Sequence, residues 1–240
     1  MPFTLLSWRD EPQHARFDES LIALAAQQGP IACIWEAEQG LVVPRTYQRH
    51  ATFTQACATS EHAGWPVTVR QSGGGIVPQG PGIINLSLAY SACGKPLDHS
   101  DKAYLLICNV IGRALQDFGI QSHPQAVEGS FCDGRYNLAV GQGAAARKIA
   151  GTAQVWRRHP EPSGPDQQIV LVHALILAHA DMQQVCEQAN HFEQMLGSDK
   201  RYDSERVASL HTMSEGPGQS RHAWLATLRQ ALSQQVRLLP

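Results

Sequence analysis

Charge is scarce in this chain. Lys, Arg, Asp and Glu make up 17% of its 240 residues, and the formal net charge is only −2 at pH 7. Without a basic surplus there is no general electrostatic footing for nucleic acid or for an anionic membrane. Apolar runs are short: one of the longest, residues 169–178, is interrupted by His173, so no bilayer-spanning segment is expected. The first residues lack the basic region and apolar core of a secretory signal. No CxxC pair occurs among the six cysteines and no HExxH among the eleven histidines, which argues against a metal site. A Walker loop, a GxGxxG fingerprint, internal repeats and low-complexity tracts are missing as well. What remains is a chain that is 43% hydrophobic, as suits a globular enzyme, expected to be cytoplasmic with its thiols reduced.

Periodicity supplies the elements. Residues 17–28 read as a helix, with Asp18 as N-cap and Gly29-Pro30 as its end. Strands are expected at 31–35, 41–43, 67–70 and 83–90, the last alternating Ile84, Leu86 and Leu88 against Asn85, Ser87 and Ala89. Residues 101–119 carry the spacing of an amphipathic helix that stops at Gly119. Two further strands flank Cys132 and Lys148, and Gly141-Gln142-Gly143 permits a hairpin that would bring them together. A loop at 159–166 precedes a long strand at 168–178; helices follow at 181–196 and 222–236, joined by a polar stretch at 198–218. The sum is an α+β fold with a mixed, mostly antiparallel sheet and packed helices. The expected division is a catalytic domain over 1–215 and a C-terminal helix over 216–240 packed on it.

Three features carry chemistry. Arg70-Gln71-Ser72-Gly73-Gly74-Gly75 removes side chains where backbone N–H groups could approach a ligand, with Arg70 as charged partner; a flexible turn would use the same residues. Cys132 alone among the cysteines has glycine and polar or acidic neighbours on both sides, whereas Cys33 and Cys108 lie in apolar runs and read as core. Lys148 precedes Ile149-Ala150-Gly151-Thr152-Ala153, small residues that leave room for a slim acyl chain. A thiol and an ammonium in one pocket are the parts of a covalent acyl-transfer site, although each residue could equally be an ordinary thiol or a solvated lysine. His173 reads as a hydrogen-bonded histidine near the pocket, on the same side as His179. Arg157-Arg158 reads as an exposed strand end that could serve as a docking patch for an acidic carrier domain.

Together these segments resemble the lipoate–protein ligase A/B family, from about residue 18 to residue 210. The strongest matches are 70–75 followed by Gly82-Ile83-Ile84-Asn85-Leu86-Ser87, and Tyr136-Asn137-Leu138 followed by Arg147-Lys148-Ile149-Ala150-Gly151-Thr152-Ala153-Gln154. The resemblance implies a biotin/lipoate protein ligase type of catalytic domain. In it Cys132 and Lys148 would be catalytic, and Arg70, Ser72, Gly73, Gly74, Gly75, Asn85, Gly151 and Thr152 would bind the acyl group. The loop 130–138 is most similar to that of the cysteine octanoyltransferases and octanoyl or lipoyl amidotransferases, which need no cofactor and pass through a thioester. The implied partners are an acyl carrier protein or acylated lipoyl domain as donor. The acceptor would be a lipoyl-domain protein, namely a 2-oxoacid dehydrogenase subunit or the glycine-cleavage H protein. The alternative is a ligase using ATP and Mg²⁺ through lipoyl-adenylate. A catalytically silent acyl-binding module is the non-enzymatic reading. Pro44 replaces a usual glycine, Ile76-Val77-Pro78-Gln79 departs from the ligase pattern, and residues 141–146 lengthen the hairpin.

Overall fold

The computed structural model describes residues 1–8, 11–162, 164, 166–214 and 220–240. In chain order the elements are β1 (Thr4–Leu5), α1 (Leu21–Gln28), β2 (Ile31–Glu36), β3 (Gly40–Pro44), α2 (Phe53–His62), β4 (Val67–Arg70), β5 (Val77–Gln79) and β6 (Ile83–Cys93). There follow α3 (Pro96–Gln116), β7 (His123–Pro124), β8 (Leu138–Val140), β9 (Arg147–Arg158), β10 (Gln167–Leu177), α4 (Met182–Met195) and α5 (Arg221–Arg237). The expected α+β class, with a mixed and mostly antiparallel sheet, is the one the chain adopts. A large sheet runs in the order β1-β2-β6-β10-β9-β8-β7, antiparallel except where β1 meets β2, and a small sheet runs β4-β3-β5.

Alternation in β6 and β10 sorts their side chains to two faces. Ile84, Leu86 and Leu88, with Val170, Val172, Ala174 and Ile176, pack under α3 and α5 in the main core. The opposite face carries Asn85, Ser87, Leu171, His173 and Leu175, and there the sheet is only partly covered: α1 closes one end, while the small sheet with α2 and α4 closes the other. The gap between these covers is where the functional groups gather.

Several expectations change. Asp18 does not cap a helix: residues 17–20 form a 3₁₀ turn before α1, and the Asp18 side chain is buried. The helix expected at 101–119 begins earlier, because Pro96 at its first position is compatible with helical φ and its missing N–H costs nothing there. The polar stretch 198–218 is not a free link. Val207, Ala208, Ser209 and Leu210 are buried, and Val207 bridges to Lys148. Residues 215–218 of that stretch, the 215/216 division, and residues 163 and 165 of the expected 159–166 loop lie outside the described residues. α5 packs on α3 and shares its core. His173 and His179 do not share a face. β10 ends at Leu177, and His179 stacks instead on His211, with ring centroids 3.8 Å apart. The helix α2 and the strands β1, β5 and β7 have no counterpart among the expected elements.

Candidate active site

Cys132 sits in the loop between β7 and β8 in a conformation that few side chains adopt, with φ +49°. A non-glycine residue there costs on the order of 1 kcal/mol, so its surroundings must hold it. They do. Phe131 is buried in the core beneath the small sheet, Ser130 Oγ donates to Val127 O at 2.7 Å, and Val127 N–H donates to Asp133 Oδ1 at 2.8 Å. Asn137 Nδ2 donates to the Cys132 carbonyl at 3.3 Å.

Lys148 completes the clamp. Its Nζ donates to the carbonyls of Phe131 at 2.5 Å and Cys132 at 3.2 Å, and the side chain is fully buried. Burial pushes the ammonium down to about 8, and the nearby Cys132, then Asp133, work against that fall. The lysine lies across Gly151: a Cβ there would come within 2.8 Å of Nζ. The small residue anticipated beside the lysine is therefore required by contact. The hairpin that joins β8 to β9 runs through Gly141 and Gly143, both at positive φ, and it brings Lys148 to the cysteine loop as expected.

The glycine loop faces the same thiol from the other side. Gly75 N–H donates to Cys132 Sγ at 3.2 Å. Gly74, at φ +105°, leaves space that a Cβ would fill at 2.5 Å from that sulfur. Arg70 ties the loop by donating to Val42 O at 2.9 Å, Gly73 O at 2.9 Å and Gly75 O at 2.6 Å. Its guanidinium is pushed down by burial and supported by the nearby Cys132. Two buried cations and an N–H thus converge around one sulfur, and Gly74 and Gly75 form its seat, while Gly73 is held by Arg70 away from it.

From Cys132 a cavity of about 660 Å³, open mouth included, runs over the exposed part of the sheet. Its apolar walls include Trp35, Val42, Val77, Val155, Leu171 and Leu175. Register explains the opening. Leu175 pairs with Gly151 and His173 with Ala153, so β9 offers little side chain at these two positions of the floor. Ser72, Asn85 and Thr152 line the cavity along with Arg70 and Cys132. Asn85 exchanges hydrogen bonds with Gln79 at 2.8 and 3.0 Å, and Thr152 Oγ1 donates to Tyr136 O at 2.8 Å.

Sequence reasoning missed Asp18, Trp35, Glu19 and Gln79, which also line the cavity, and Asn137, which holds the cysteine loop. Asp18, Trp35 and Glu19 pair across long sequence separations, with His173, Ser87 and Gln71, whereas Gln79 and Asn137 pair only six and five positions away. A polar residue opening a helix-like segment, as Asp18 does, is the one signal available, and it points to a local role. Arg157 does lie exposed at the strand end, where it donates to the Gln71 side chain at the cavity mouth.

Residues 10–219 match the model of the lipoyl protein ligase A/B catalytic domain. An uncharacterised protein of Cupriavidus necator is 52% identical over 194 residues, which cover 80% of this chain and 77% of that protein. An octanoyl-[GcvH]:protein N-octanoyltransferase of Kyrpidia tusciae is 29% identical over 90% of this chain and 74% of its own length. Among solved structures, a lipoate-protein ligase A bound with ATP superposes with a TM-score of 0.69 at 17% identity, over 98% of this chain and 86% of that one. A likeness at that identity speaks for the fold.

Proposed function

The chain belongs to the lipoyl protein ligase A/B catalytic-domain family and is an acyltransferase of the lipoate and octanoate type, and we propose that it moves an octanoyl or lipoyl group through a thioester on Cys132 to a lysine of a lipoyl domain. The observation that carries this reading is the seat of the thiol. Cys132 Sγ receives the Gly75 N–H, stands beside buried Arg70 and Lys148, and opens onto a cavity with apolar walls.

The chemistry runs in two halves. Cys132, as thiolate, attacks the acyl carbonyl of the donor; the S–C bond forms, and the donor's sulfur leaves as thiolate, or its nitrogen leaves as the amine after taking a proton from solvent. Lys148 and backbone N–H groups near the glycine loop stabilise the negative oxygen of the tetrahedral intermediate. The ε-amine of the acceptor lysine then attacks the acyl-enzyme, an amide forms, and the Cys132 thiolate leaves. All six cysteines are free, which suits the reduced cytoplasmic setting of such a nucleophile. The names of relatives such as the Kyrpidia tusciae enzyme support an acylated glycine-cleavage H protein as the donor.

The alternative is a ligase that forms lipoyl-adenylate from ATP and Mg²⁺. The residues present fit a triphosphate poorly. The cavity wall carries Asp18 and Glu19, and the two buried cations are both engaged with backbone carbonyls. The chemistry of this donor set favours the transferase reading.

Intact-protein mass spectrometry separates the two. The chain is mixed with an apo lipoyl domain and either an octanoyl-loaded carrier without ATP, or lipoate with ATP and Mg²⁺. The expected result is an octanoyl adduct on Cys132 and a modified domain in the first mixture. Modification confined to the ATP mixture would make the chain a ligase.

A further inference from the structure

The second half of that reaction needs something that neither Cys132 nor Lys148 supplies. A lysine amine in water carries a proton at neutral pH, and it can attack only after losing one. Lys148 is fully buried with its Nζ on the carbonyls of Phe131 and Cys132, and it does not line the cavity through which the acceptor amine arrives.

On the cavity wall, His173 Nδ1 lies 2.5 Å from Asp18 Oδ2, and its Nε2 lies 3.2 Å from Ser72 Oγ. Asp18 is 3% exposed and is fixed further by the Ser87 hydroxyl, which donates to Oδ2 at 3.1 Å. Trp35 Nε1 donates in turn to Ser87 Oγ at 3.0 Å. This chain of bonds orients one ring. With Nδ1–H given to the carboxylate, Nε2 keeps its lone pair and accepts the Ser72 hydroxyl proton. A base oriented by a buried carboxylate beside a hydroxyl is a constellation that recurs in acyl transfer. His173 and Ser72 both line the cavity that Cys132 opens into. Two residues beyond Ser72, Gly74 borders the sulfur.

We propose that His173, oriented by Asp18 and linked to the cavity through Ser72, is the general base for the acceptor lysine. The inference rests on the acyl-enzyme reading above. The acceptor ammonium gives one proton to His173 Nε2, directly or through the Ser72 hydroxyl; the neutral nitrogen then bonds to the acyl carbon, the S–C bond to Cys132 breaks, and the departing thiolate takes up the second N–H proton. The imidazolium then returns the proton to water. No oxidant or metal is required.

The test separates the two halves. The full chain is loaded with an octanoyl thioester of a small thiol, whose thiolate leaves without a proton, and the Cys132 adduct is followed by mass. The loaded enzyme is then offered an apo lipoyl domain or hydroxylamine, which is unprotonated at neutral pH and needs no base. His173→Asn and Asp18→Asn are expected to load like the parent and to pass the acyl group to hydroxylamine at the parent rate. Transfer to the lipoyl-domain lysine should fall by about a hundredfold or more. Equal losses toward both acceptors would reduce His173 to a structural role and overturn the proposal. Unchanged transfer to lysine would overturn it as well, while leaving the acyl-enzyme intact. Absence of any Cys132 adduct in the parent would remove the acyl-enzyme, and the base with it. If His173→Asn does not fold, Asp18→Asn decides the matter, since it keeps the shape and changes the bond that orients the ring.

Discussion

The backbone N–H of Gly75 points at the sulfur of Cys132 from 3.2 Å, and the neighbouring Gly74 is bare on the side that faces the same atom. The thiol is therefore located by backbone on one side and by two buried cations around it. A single methyl group tests this. In Gly74→Ala the new Cβ would stand 2.5 Å from Sγ at a φ of +105°. Acyl-enzyme formation should fall on the order of a hundredfold as the hydrogen bond to sulfur is displaced. Stopped-flow loading with an octanoyl thioester measures it, and parent-like loading would remove the glycine loop from the mechanism.

Lys148 links activity to pH with a definite sign. Burial holds its ammonium down to about 8, so the charge that would stabilise the oxyanion is lost as pH rises through that value. Loading of Cys132 should weaken above about pH 8. Stability should move the other way. An unfolded lysine titrates near 10.4, so between about 8 and 10.4 the unfolded chain binds more protons and unfolding becomes harder as pH rises. The slope from this group is at most about 1.4 kcal/mol per pH unit. Denaturant unfolding of the parent against Lys148→Met isolates it: a difference that grows from about pH 8 to about pH 10 is expected, and a flat difference would contradict the burial.

Ala153 should set the acyl length. It lines the cavity beside its cross-strand partner His173, in the gap that small β9 residues leave. Ala153→Leu should lower transfer of octanoyl by about tenfold or more while butanoyl is moved at near the parent rate, since a poor fit of this size is worth about 1–3 kcal/mol. Equal losses for both chain lengths would place the acyl group elsewhere.

Glu193 holds the cover of the site. It is 1% exposed and accepts from Tyr47 OH at 2.5 Å and Tyr202 OH at 2.7 Å, while Tyr47 OH accepts the N–H of Ile76 beside the glycine loop. Burial, then the bond to Glu193, pushes both phenols up and keeps them as donors. Replacing Glu193 with Leu leaves the buried Tyr47 hydroxyl and the partly buried Tyr202 hydroxyl without their acceptor and should cost about 1–3 kcal/mol, read as a lower urea midpoint. A midpoint within error of the parent would show that the phenols find other partners.

Much of the site was legible because its signals are local. The alternation in β6 put Asn85 and Ser87 on one face, the glycine run marked the loop, and Gly141 and Gly143 allowed the hairpin that carries Lys148 to the cysteine loop. What escaped depends on distance along the chain. Asp18 and His173 are separated by 155 positions, and nothing near Asp18 distinguishes a buried carboxylate from a helix cap. The helix α2 escaped because little of it is apolar: its buried residues are only Ala56 and Ser60. Strands as short as β5, with Pro78 in the middle, carry no period to read.

The bridge between Lys148 and Val207 ties the catalytic half of the chain to a segment made much later. Ala208 N–H donates to the Lys148 carbonyl at 2.8 Å, so the backbone that presents the lysine is completed by residues made long after the cysteine loop. Contacts at such separations form late, after their loop-closure entropy has been met. The strand that carries Lys148 is thus anchored on two sides, by the hairpin from β8 and by the segment beyond α4.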